Sequence, residues 1–228
     1  MTGPKQNVAF ASNGGSAHGY LVVPHAGSGS GVIVIQEWWG LTEHIADVTR
    51  RLAAAGFVAL APDLYGGLTA HDAKEAGRLR RELPDDRAAR DLSGAVDHLL
   101  GQDAVTSSTV GVIGFCMGGG FVLSMAAQQG DRVSAAVPFY GLPSVDVDYS
   151  GLTAAIQGHF ALRDRGITPE AVTAEFGKID VQSDAPVERL DYDADHAFHN
   201  DENERAYDPD AAVLAWSRAT DFLRATVR

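Results

Sequence analysis

Short buried strands alternate with amphipathic helices along most of this 228-residue chain, and this alternation restricts its possible folds more than any other feature. Runs such as Val32–Ile35 and Phe57–Ala61 are apolar at every position, as expected of strands that are covered on both faces. Between them, Ile45, Val48 and Leu52 share one face of a predicted helix. The pattern predicts right-handed βαβ crossovers, and therefore a mostly parallel central sheet with helices on both faces.

The other segments repeat this cycle after an N-terminal antiparallel hairpin. Hydrophobic alternation around Gly14-Gly15 predicts the two hairpin strands, Val8–Ser12 and Ala17–Val23. Further strands are predicted at Thr109–Phe115, Val133–Tyr140, Ala154–Ala161 and Val187–Tyr192. Further helices are predicted to start near Asp72, Pro84, Met117, Thr168 and Asp208. Because no linker or repeat interrupts the pattern, we expect one α/β domain over residues 1–228.

The sequence predicts further details for two of these helices. Gly177 is predicted to end the helix that begins at Thr168, because glycine is the usual residue just beyond a helix C-terminus. In the last helix the spacing of larger side chains predicts one stripe, formed by Val213, Trp216, Thr220 and Leu223.

The composition argues against several classes of partner. The chain has 18 basic and 30 acidic residues, and its net charge of −12 argues against binding to nucleic acid or anionic membrane. No apolar run is long enough for a membrane helix, and the N-terminus lacks the apolar core of a signal peptide. The single cysteine, Cys116, cannot form an internal disulfide or a cysteine-rich zinc site. We therefore expect a cytoplasmic protein, monomeric or weakly dimeric, that acts on a small molecule.

Cys116 lies in a Gly-x-Cys-x-Gly turn between a predicted strand and a predicted helix. The spacing of Gly114, Cys116 and Gly118 is that of a nucleophile elbow with cysteine in place of serine. Such a turn strains the backbone of the nucleophile, and side chains at the two glycine positions would clash. The helix N-terminus favours a thiolate, and the Met117 N–H can point at a developing oxyanion. A small buried cysteine is the alternative, whereas the phosphate-loop and dinucleotide motifs are absent.

The two partners that a nucleophilic cysteine needs follow in the order typical of α/β-hydrolases. In that fold the acid follows a late strand, and the base follows the last strand. Asp164 comes just after the predicted strand that ends at Ala161, and His196 comes just after the one that ends at Tyr192. Cys116, Asp164 and His196 are therefore the candidate nucleophile, acid and base.

Other interpretations of this region stay open at the level of sequence. Asp164 can be a loop residue paired with Arg163 or Arg165, and His199, predicted at the rim, is a rival base. Three aspartates are rival carboxylates, although they lie close to His196 in sequence: Asp191, Asp193 and Asp195. The same segment imitates a calcium loop, but it has histidine where glycine is expected, and a strand precedes it. We therefore expect no metal site and no organic cofactor.

Four motifs together resemble the dienelactone hydrolase (carboxymethylenebutenolidase) family of α/β-hydrolases. The motifs are spread from one end of the chain to the other, and in this order they are specific to that family. They are Gln36-Glu37-Trp38-Trp39-Gly40, Pro62-Asp63-Leu64-Tyr65-Gly66, Gly114-Phe115-Cys116-Met117-Gly118-Gly119 and His196-Ala197-Phe198. The resemblance implies an α/β-hydrolase fold with the N-terminal hairpin.

The resemblance also implies roles for individual residues. It implies a triad of Cys116, His196 and Asp164, with Glu37 as a fourth functional residue that interacts with the resting thiol. It further implies that the Trp38 N–H is the second oxyanion donor beside that of Met117. Family members proper bind a substrate carboxylate with arginines, one of them shortly after the His-x-Phe motif, where this chain has His199 and Asn200.

The sequence thus predicts a hydrolase of small activated carboxylic esters or lactones that works through a Cys-His-Asp triad. Two alternatives remain: a non-catalytic or thiol-sensing protein on the same scaffold, and a hydrolase of another acyl substrate such as a thioester or peptide. The acidic residues near His196 would repel an anionic substrate unless a local arginine compensates for them.

Overall fold

The computed structural model describes residues 5–228 of the protein. Within that range the strands are β1 (Val8–Ser12), β2 (Gly15–Val22), β3 (Gly29–Ile35), β4 (Val58–Pro62), β5 (Val105–Phe115), β6 (Val133–Phe139), β7 (Ala155–Ala161) and β8 (Val187–Tyr192). The helices are α1 (Glu43–Ala54), α2 (Ala73–Glu82), α3 (Asp85–Leu100), α4 (Met117–Gln129), α5 (Pro169–Gln182) and α6 (Pro209–Thr226).

The strands form an eight-stranded, mostly parallel sheet in the order β1-β2-β4-β3-β5-β6-β7-β8. β1 pairs antiparallel with β2, and β2 pairs antiparallel with β4. The pairs β3–β4, β6–β7 and β7–β8 are parallel. Every residue of β4 is buried, which shows that helices or loops cover both faces of that strand. The predicted α/β architecture with an N-terminal antiparallel hairpin is confirmed.

The chain divides into two compact units, one up to Val110 with Arg228 added, and one of Gly111–Val227. In the first unit α1 packs against β4, and α3 packs against β1. The hairpin turns through Asn13 and Gly14, both of which have positive φ angles. A Cβ at Gly94 of α3 would overlap the carbonyl oxygen of Ala11, so glycine allows the close approach of this helix to β1.

In the second unit α4 packs against β6, and aromatic side chains fill the core. Phe115, Phe139, Phe160 and Phe198 are each no more than 1% exposed. The unit contains the carboxyl ends of β5, β6, β7 and β8, and the loops after such ends usually carry the functional residues of parallel sheets. Whether the whole chain behaves as one domain, as the sequence predicts, stays a prediction.

Two details of the predicted helices are wrong. α5 continues past Gly177 to Gln182, because Ile179 extends the buried stripe begun by Val172 and Phe176. In α6, Thr220 and Leu223 are buried as predicted, but Val213 is 69% exposed, and the other buried positions are alanines: Ala212, Ala215 and Ala219. None of the helices within residues 5–228 combines the length and apolar character needed to cross a bilayer.

Candidate active site

The Cys116 turn connects β5 directly to α4 and is strained at the cysteine. Cys116 has φ 54° and ψ −117°, a backbone conformation that L residues rarely adopt. A Cβ at Gly114 would overlap the carbonyl group of Gly118, which explains why this sharp turn needs glycine there. The Cys116 side chain is half-buried, and Met117 is the first residue of α4. The predicted strand–turn–helix geometry is present at these residues.

The backbone after β6 holds this turn in place. The N–H of Cys116 donates to the carbonyl oxygen of Phe139 at 3.0 Å. Gly141 lies so close that a Cβ on it would overlap the Cys116 carbonyl oxygen. Tyr140, which lies between Phe139 and Gly141, is fully buried and has φ 36°. Its N–H donates to the carbonyl oxygen of His159 at 2.8 Å. Sequence reasoning missed Tyr140 and Gly141, although a Tyr-Gly pair just after a buried strand is a visible signal of a tight turn.

Asp164 follows β7 and is fixed at both carboxylate oxygens. Its side chain is 1% exposed. Oδ1 accepts hydrogen bonds from the N–H groups of Gly166 at 2.8 Å and Ile167 at 2.9 Å. Oδ2 lies 2.5 Å from Nδ1 of His196. Burial raises the pKa of Asp164, but the hydrogen bonds from His196 and from the backbone outweigh it and lower that pKa below its ordinary value. Asp164 is therefore an ionised and oriented acceptor.

His196 follows β8 and contacts both of the other candidates. Its side chain is 37% exposed, it hydrogen-bonds to Asp164, and it interacts with the side chain of Cys116. Burial lowers the pKa of His196, but the hydrogen bonds and charge interactions with Asp164 and Cys116 outweigh it and raise the pKa to about 10. The protonated form of the ring is therefore stabilised by its two partners. The structure thus brings Cys116, His196 and Asp164 together within one unit.

Backbone hydrogen bonds tie the loop that carries Asp164 to the loop that carries His196. The N–H of Leu162 donates to the carbonyl oxygen of Tyr192 at 2.8 Å, and that of Arg163 donates to the carbonyl oxygen of Ala194 at 3.0 Å. These bonds continue the pairing of β7 with β8 beyond the ends of the strands. The position of the imidazole relative to the carboxylate is therefore set by the main chain as well as by the side chains.

The rival carboxylates are held by arginines on the exposed surface. Arg163 pairs with Asp193 and lies 3.7 Å from Asp195, while Arg189 pairs with Asp191 at 2.8 Å. Arg163 is thus occupied by the aspartates near His196, and Asp164 pairs with His196 rather than with Arg163 or Arg165. The same ion pairs compensate part of the negative charge that the sequence places around His196.

The prediction that His199 lies at the rim is wrong. The side chain is 1% exposed, and its ring stacks on Phe115 with 5.2 Å between ring centroids. It also packs against Trp216 of α6 at 5.5 Å. The chain turns inward at Ala197, which has φ 66°, and this turn buries Phe198 and His199 among the core aromatics. Only His196 of the two histidines stays at the surface.

Glu37 and Trp38 belong to the first unit, in the loop after β3. Glu37 is 2% exposed, and its carbonyl oxygen accepts a hydrogen bond from the N–H of Gly40 at 3.2 Å. The rings of Trp38 and Trp39 meet edge to face with 5.0 Å between centroids. The second motif supports this loop, because Gln36 accepts a hydrogen bond from the N–H of Leu64 at 3.2 Å. The predicted roles of Glu37 and Trp38 toward substrate stay predictions.

Comparisons with known proteins agree with the resemblance seen in the sequence. The model of the dienelactone hydrolase family matches residues 17–227. A protein of Aquifex aeolicus with the provisional name carboxymethylenebutenolidase is 32% identical over 231 residues, which cover 96% of this chain and 97% of the relative. A Bradyrhizobium protein, provisionally named a 2-oxo-3-(5-oxofuran-2-ylidene)propanoate lactonase, is 34% identical over 233 residues and covers 95% of this chain and 92% of its own.

The fold agrees with a solved structure of the same family type. The structure of a dienelactone hydrolase-like promiscuous phosphotriesterase from metagenomic libraries superimposes with a TM-score of 0.84 at 28% identity, and 97% of each chain is covered. The family match over nearly the whole chain and the similar relatives lead to the same conclusion. This chain belongs to the dienelactone hydrolase family and is a hydrolase of carboxylic esters or lactones.

Proposed function

We propose that the protein hydrolyses small activated carboxylic esters or lactones with Cys116 as nucleophile, His196 as proton carrier and Asp164 as the residue that orients His196. One observation carries this proposal: Nδ1 of His196 lies 2.5 Å from the Asp164 carboxylate, while interactions with both Asp164 and Cys116 raise the pKa of the same ring. Nucleophilic acyl transfer requires a nucleophile, an imidazole beside it and a carboxylate that orients the imidazole. Here the thiol lies at a helix N-terminus, and the carboxylate is buried.

The first half of the reaction transfers the acyl group to sulfur. The thiol proton passes to His196, and the thiolate attacks the carbonyl carbon to form a tetrahedral intermediate. Its oxyanion is bound by the N–H groups of Met117 and, by the family resemblance, Trp38. The intermediate collapses when the carbon–oxygen bond to the leaving group breaks. That oxygen takes the proton from His196, and a thioester on Cys116 remains.

The second half returns the enzyme to its starting state. Water attacks the thioester carbonyl while His196 accepts a proton from it, and the carbon–sulfur bond breaks. The carboxylic acid is released, and the imidazolium of His196 returns its proton to the Cys116 thiolate, which restores the resting thiol. A leaving group that is a stable enolate or phenolate speeds the first half, which favours activated esters and enol lactones over alkyl esters. The name of the Bradyrhizobium relative, a lactonase, supports a lactone as the substrate class.

The acyl-enzyme provides a direct test. We expect that mixing the protein with para-nitrophenyl acetate and quenching in acid within milliseconds to seconds gives one acetyl group, located on Cys116 by peptide mass spectrometry. Ser124→Ala in the same helix is the matched control and should be acetylated equally. Acetylation of another residue would contradict the nucleophile. Oxidation of Cys116 without turnover of any ester would instead favour the thiol-sensing alternative.

We further propose that Glu37 protects the resting thiol. The proposal rests on the family resemblance, and the burial of Glu37 supports it, because a buried carboxylate that keeps the thiol protonated slows its oxidation. Glu37→Gln should then increase the rate at which hydrogen peroxide oxidises Cys116, measured by loss of reactive thiol. Glu82→Gln, an exposed carboxylate in α2, should leave the rate unchanged. An equal rate in both variants would remove this role from Glu37.

A further inference from the structure

Four polar side chains of β7 and β8 form a hydrogen-bond network on one face of the sheet in the second unit. Gln157 and His159 alternate along β7, and Glu188 and Tyr192 lie on the matching face of β8. Gln157, His159 and Tyr192 are buried. The reactions proposed above use none of these side chains. Buried polar networks that are fully satisfied make a structure rigid, which suggests where to look for their role.

The two ends of this network fix the direction of its hydrogen bonds. At one end the Glu188 carboxylate can only accept, so Nε2 of Gln157 donates to it at 2.7 Å and Oε1 of Gln157 faces His159. Nε2 of His159 lies 3.2 Å from that oxygen and must therefore carry a proton. At the other end Arg218 of α6 can only donate, and it lies 3.3 Å from the Tyr192 hydroxyl.

The central bond of the network joins Tyr192 to His159. Burial lowers the pKa of His159 to about 3, and the positive charge of Arg218 contributes, so the ring is neutral. A neutral ring that carries its proton on Nε2 accepts at Nδ1. The Tyr192 hydroxyl therefore accepts from Arg218 and donates to Nδ1 of His159 at 2.8 Å.

His159 lies where the backbone segments that carry the three candidate residues meet. Its ring stacks on Phe139 of β6 with 4.4 Å between centroids. The carbonyl oxygen of Phe139 accepts the hydrogen bond from the N–H of Cys116. On the other side, the bond to Tyr192 reaches the last residue of β8, whose carbonyl oxygen accepts from the N–H of Leu162. The network thus contacts all three strand ends from which the candidate site is built.

The bond between Tyr192 and His159 depends on the register of the two strands. In the pairing of β7 with β8, Tyr192 lies opposite Ala161 rather than opposite His159, so its side chain reaches diagonally across the pair. Such a diagonal bond forms at only one offset between the strands. A shift of β8 along β7 would break it, and the same shift would move His196 away from Asp164, because these two residues follow the strand ends.

We propose that His159 and Tyr192 are positioning residues: their hydrogen bond holds the ends of β7 and β8 in the register that places the Asp164 carboxylate against Nδ1 of His196. This inference rests on the proposed function and adds to it two residues that act only through the acid and the base. Arg218 orients the Tyr192 hydroxyl from α6. The effect should be measurable, because a misplacement of about 1 Å in a site of this kind costs about 100-fold in rate.

The test removes the hydroxyl with Tyr192→Phe, which keeps the ring that packs against Phe198. We expect kcat/KM for para-nitrophenyl acetate to fall about tenfold, as for a misplacement of acid and base somewhat below 1 Å. In proton NMR spectra, the downfield resonance of the proton between Asp164 and His196 should move upfield, because their hydrogen bond lengthens. A loss of stability alone would not move this resonance in the folded protein.

Tyr149→Phe is the matched control, since it also removes a buried tyrosine hydroxyl in the second unit. That hydroxyl donates to Glu175 of α5, away from the three candidate residues. The control should lower the thermal stability to a similar degree, but it should keep kcat/KM within about twofold and leave the His196 resonance unchanged. If Tyr192→Phe behaves like Tyr149→Phe in rate and resonance, the positioning role is overturned and the proposed function stands.

A measurement on the wild-type protein decides the case in which Tyr192→Phe does not fold. Nitrogen NMR of histidine-labelled protein should show His159 as the neutral ring protonated on Nε2, without titration between about pH 5 and 8. A ring protonated on Nδ1, or one that titrates in this range, would overturn the inference. If the wild type neither hydrolyses the ester nor shows the proton between Asp164 and His196, the proposed function is overturned together with it.

Discussion

Replacing Cys116 with alanine should lower kcat/KM for an activated ester or enol lactone by about 10⁴-fold or more, since loss of a nucleophile in such a site removes almost all catalysis. The side chain is half-buried and the substitution deletes only one sulfur atom, so the fold should persist. The measurement is initial-rate kinetics on para-nitrophenyl acetate, together with thermal unfolding by circular dichroism. The hydroxide background must be subtracted, because activated esters also hydrolyse in buffer.

Ser124→Ala provides the matched control for this experiment. Ser124 lies in α4, the helix that begins just after Cys116, and its hydroxyl donates to the carbonyl oxygen of Gly120 at 3.2 Å. The control should keep kcat/KM within about twofold of wild type, as expected for a residue away from the reacting atoms. If Cys116→Ala keeps more than about a tenth of the activity, the cysteine is not the nucleophile.

Asp164→Asn should lower kcat/KM by about 10³- to 10⁴-fold with the fold unchanged, which is the size of effect known for the equivalent change in serine-based triads. The amide can keep the bonds from Gly166 and Ile167, but it removes a charged acceptor from Nδ1 of His196. The pKa of His196 should then fall, because burial lowers it and the carboxylate no longer opposes that. The imidazole would be neutral and wrongly oriented, so it could neither stabilise the thiolate nor protonate the leaving group.

The difference in stability between Asp164→Asn and wild type should depend on pH. The pKa of His196 is raised from 6.5 to about 10, so its contribution to the free energy of unfolding is complete below pH 6.5 and is lost as the pH rises through 10. The pKa of Asp164 is lowered from 3.8, so its contribution is present above pH 3.8 and is lost as the pH falls further. The difference in unfolding free energy between wild type and Asp164→Asn should therefore be largest from about pH 4 to 6.5, and urea titrations measure it.

Asp191→Asn is the control for the second prediction. Asp191 is a neighbouring carboxylate whose partner is Arg189, and it contributes no atom to the bond network of His196. Its removal should change kcat/KM by less than about twofold and should leave the pH dependence of stability as in wild type. An equal loss of activity in Asp191→Asn and Asp164→Asn would show that general negative charge, rather than an oriented carboxylate, supports His196.

Much of the fold follows from local sequence signals. The strands before Cys116 and Asp164 end in buried runs, and the strand before His196 alternates apolar and charged residues. The helix starts at Asp72 and Thr168 carry side chains that cap them as predicted. The two errors arise where packing overrides a local rule. α5 continues past Gly177 because Ile179 beyond it is buried, and α6 buries Ala212, Ala215 and Ala219 beside Thr220 and Leu223.

The candidate site was predicted as an order of residues along the chain, but its contacts depend on distant segments. The burial of His199 depends on Phe115 and Trp216, which are far from it in sequence. The need for glycine at position 141 comes from the carbonyl of Cys116, and the pairing of Arg163 with Asp193 joins two loops. Such non-local contacts leave no periodic signal in the sequence, so only the structure reveals them.

The hydrogen bonds that join the loops after β7 and β8 have a consequence for protein engineering. Leu162 and Arg163 donate to the carbonyl oxygens of Tyr192 and Ala194, so a change of length in either loop displaces the other. A library that diversifies one loop alone will mostly yield inactive clones in which the acid and the base no longer match. To change the specificity of this scaffold, the two loops should therefore be replaced together, as one unit.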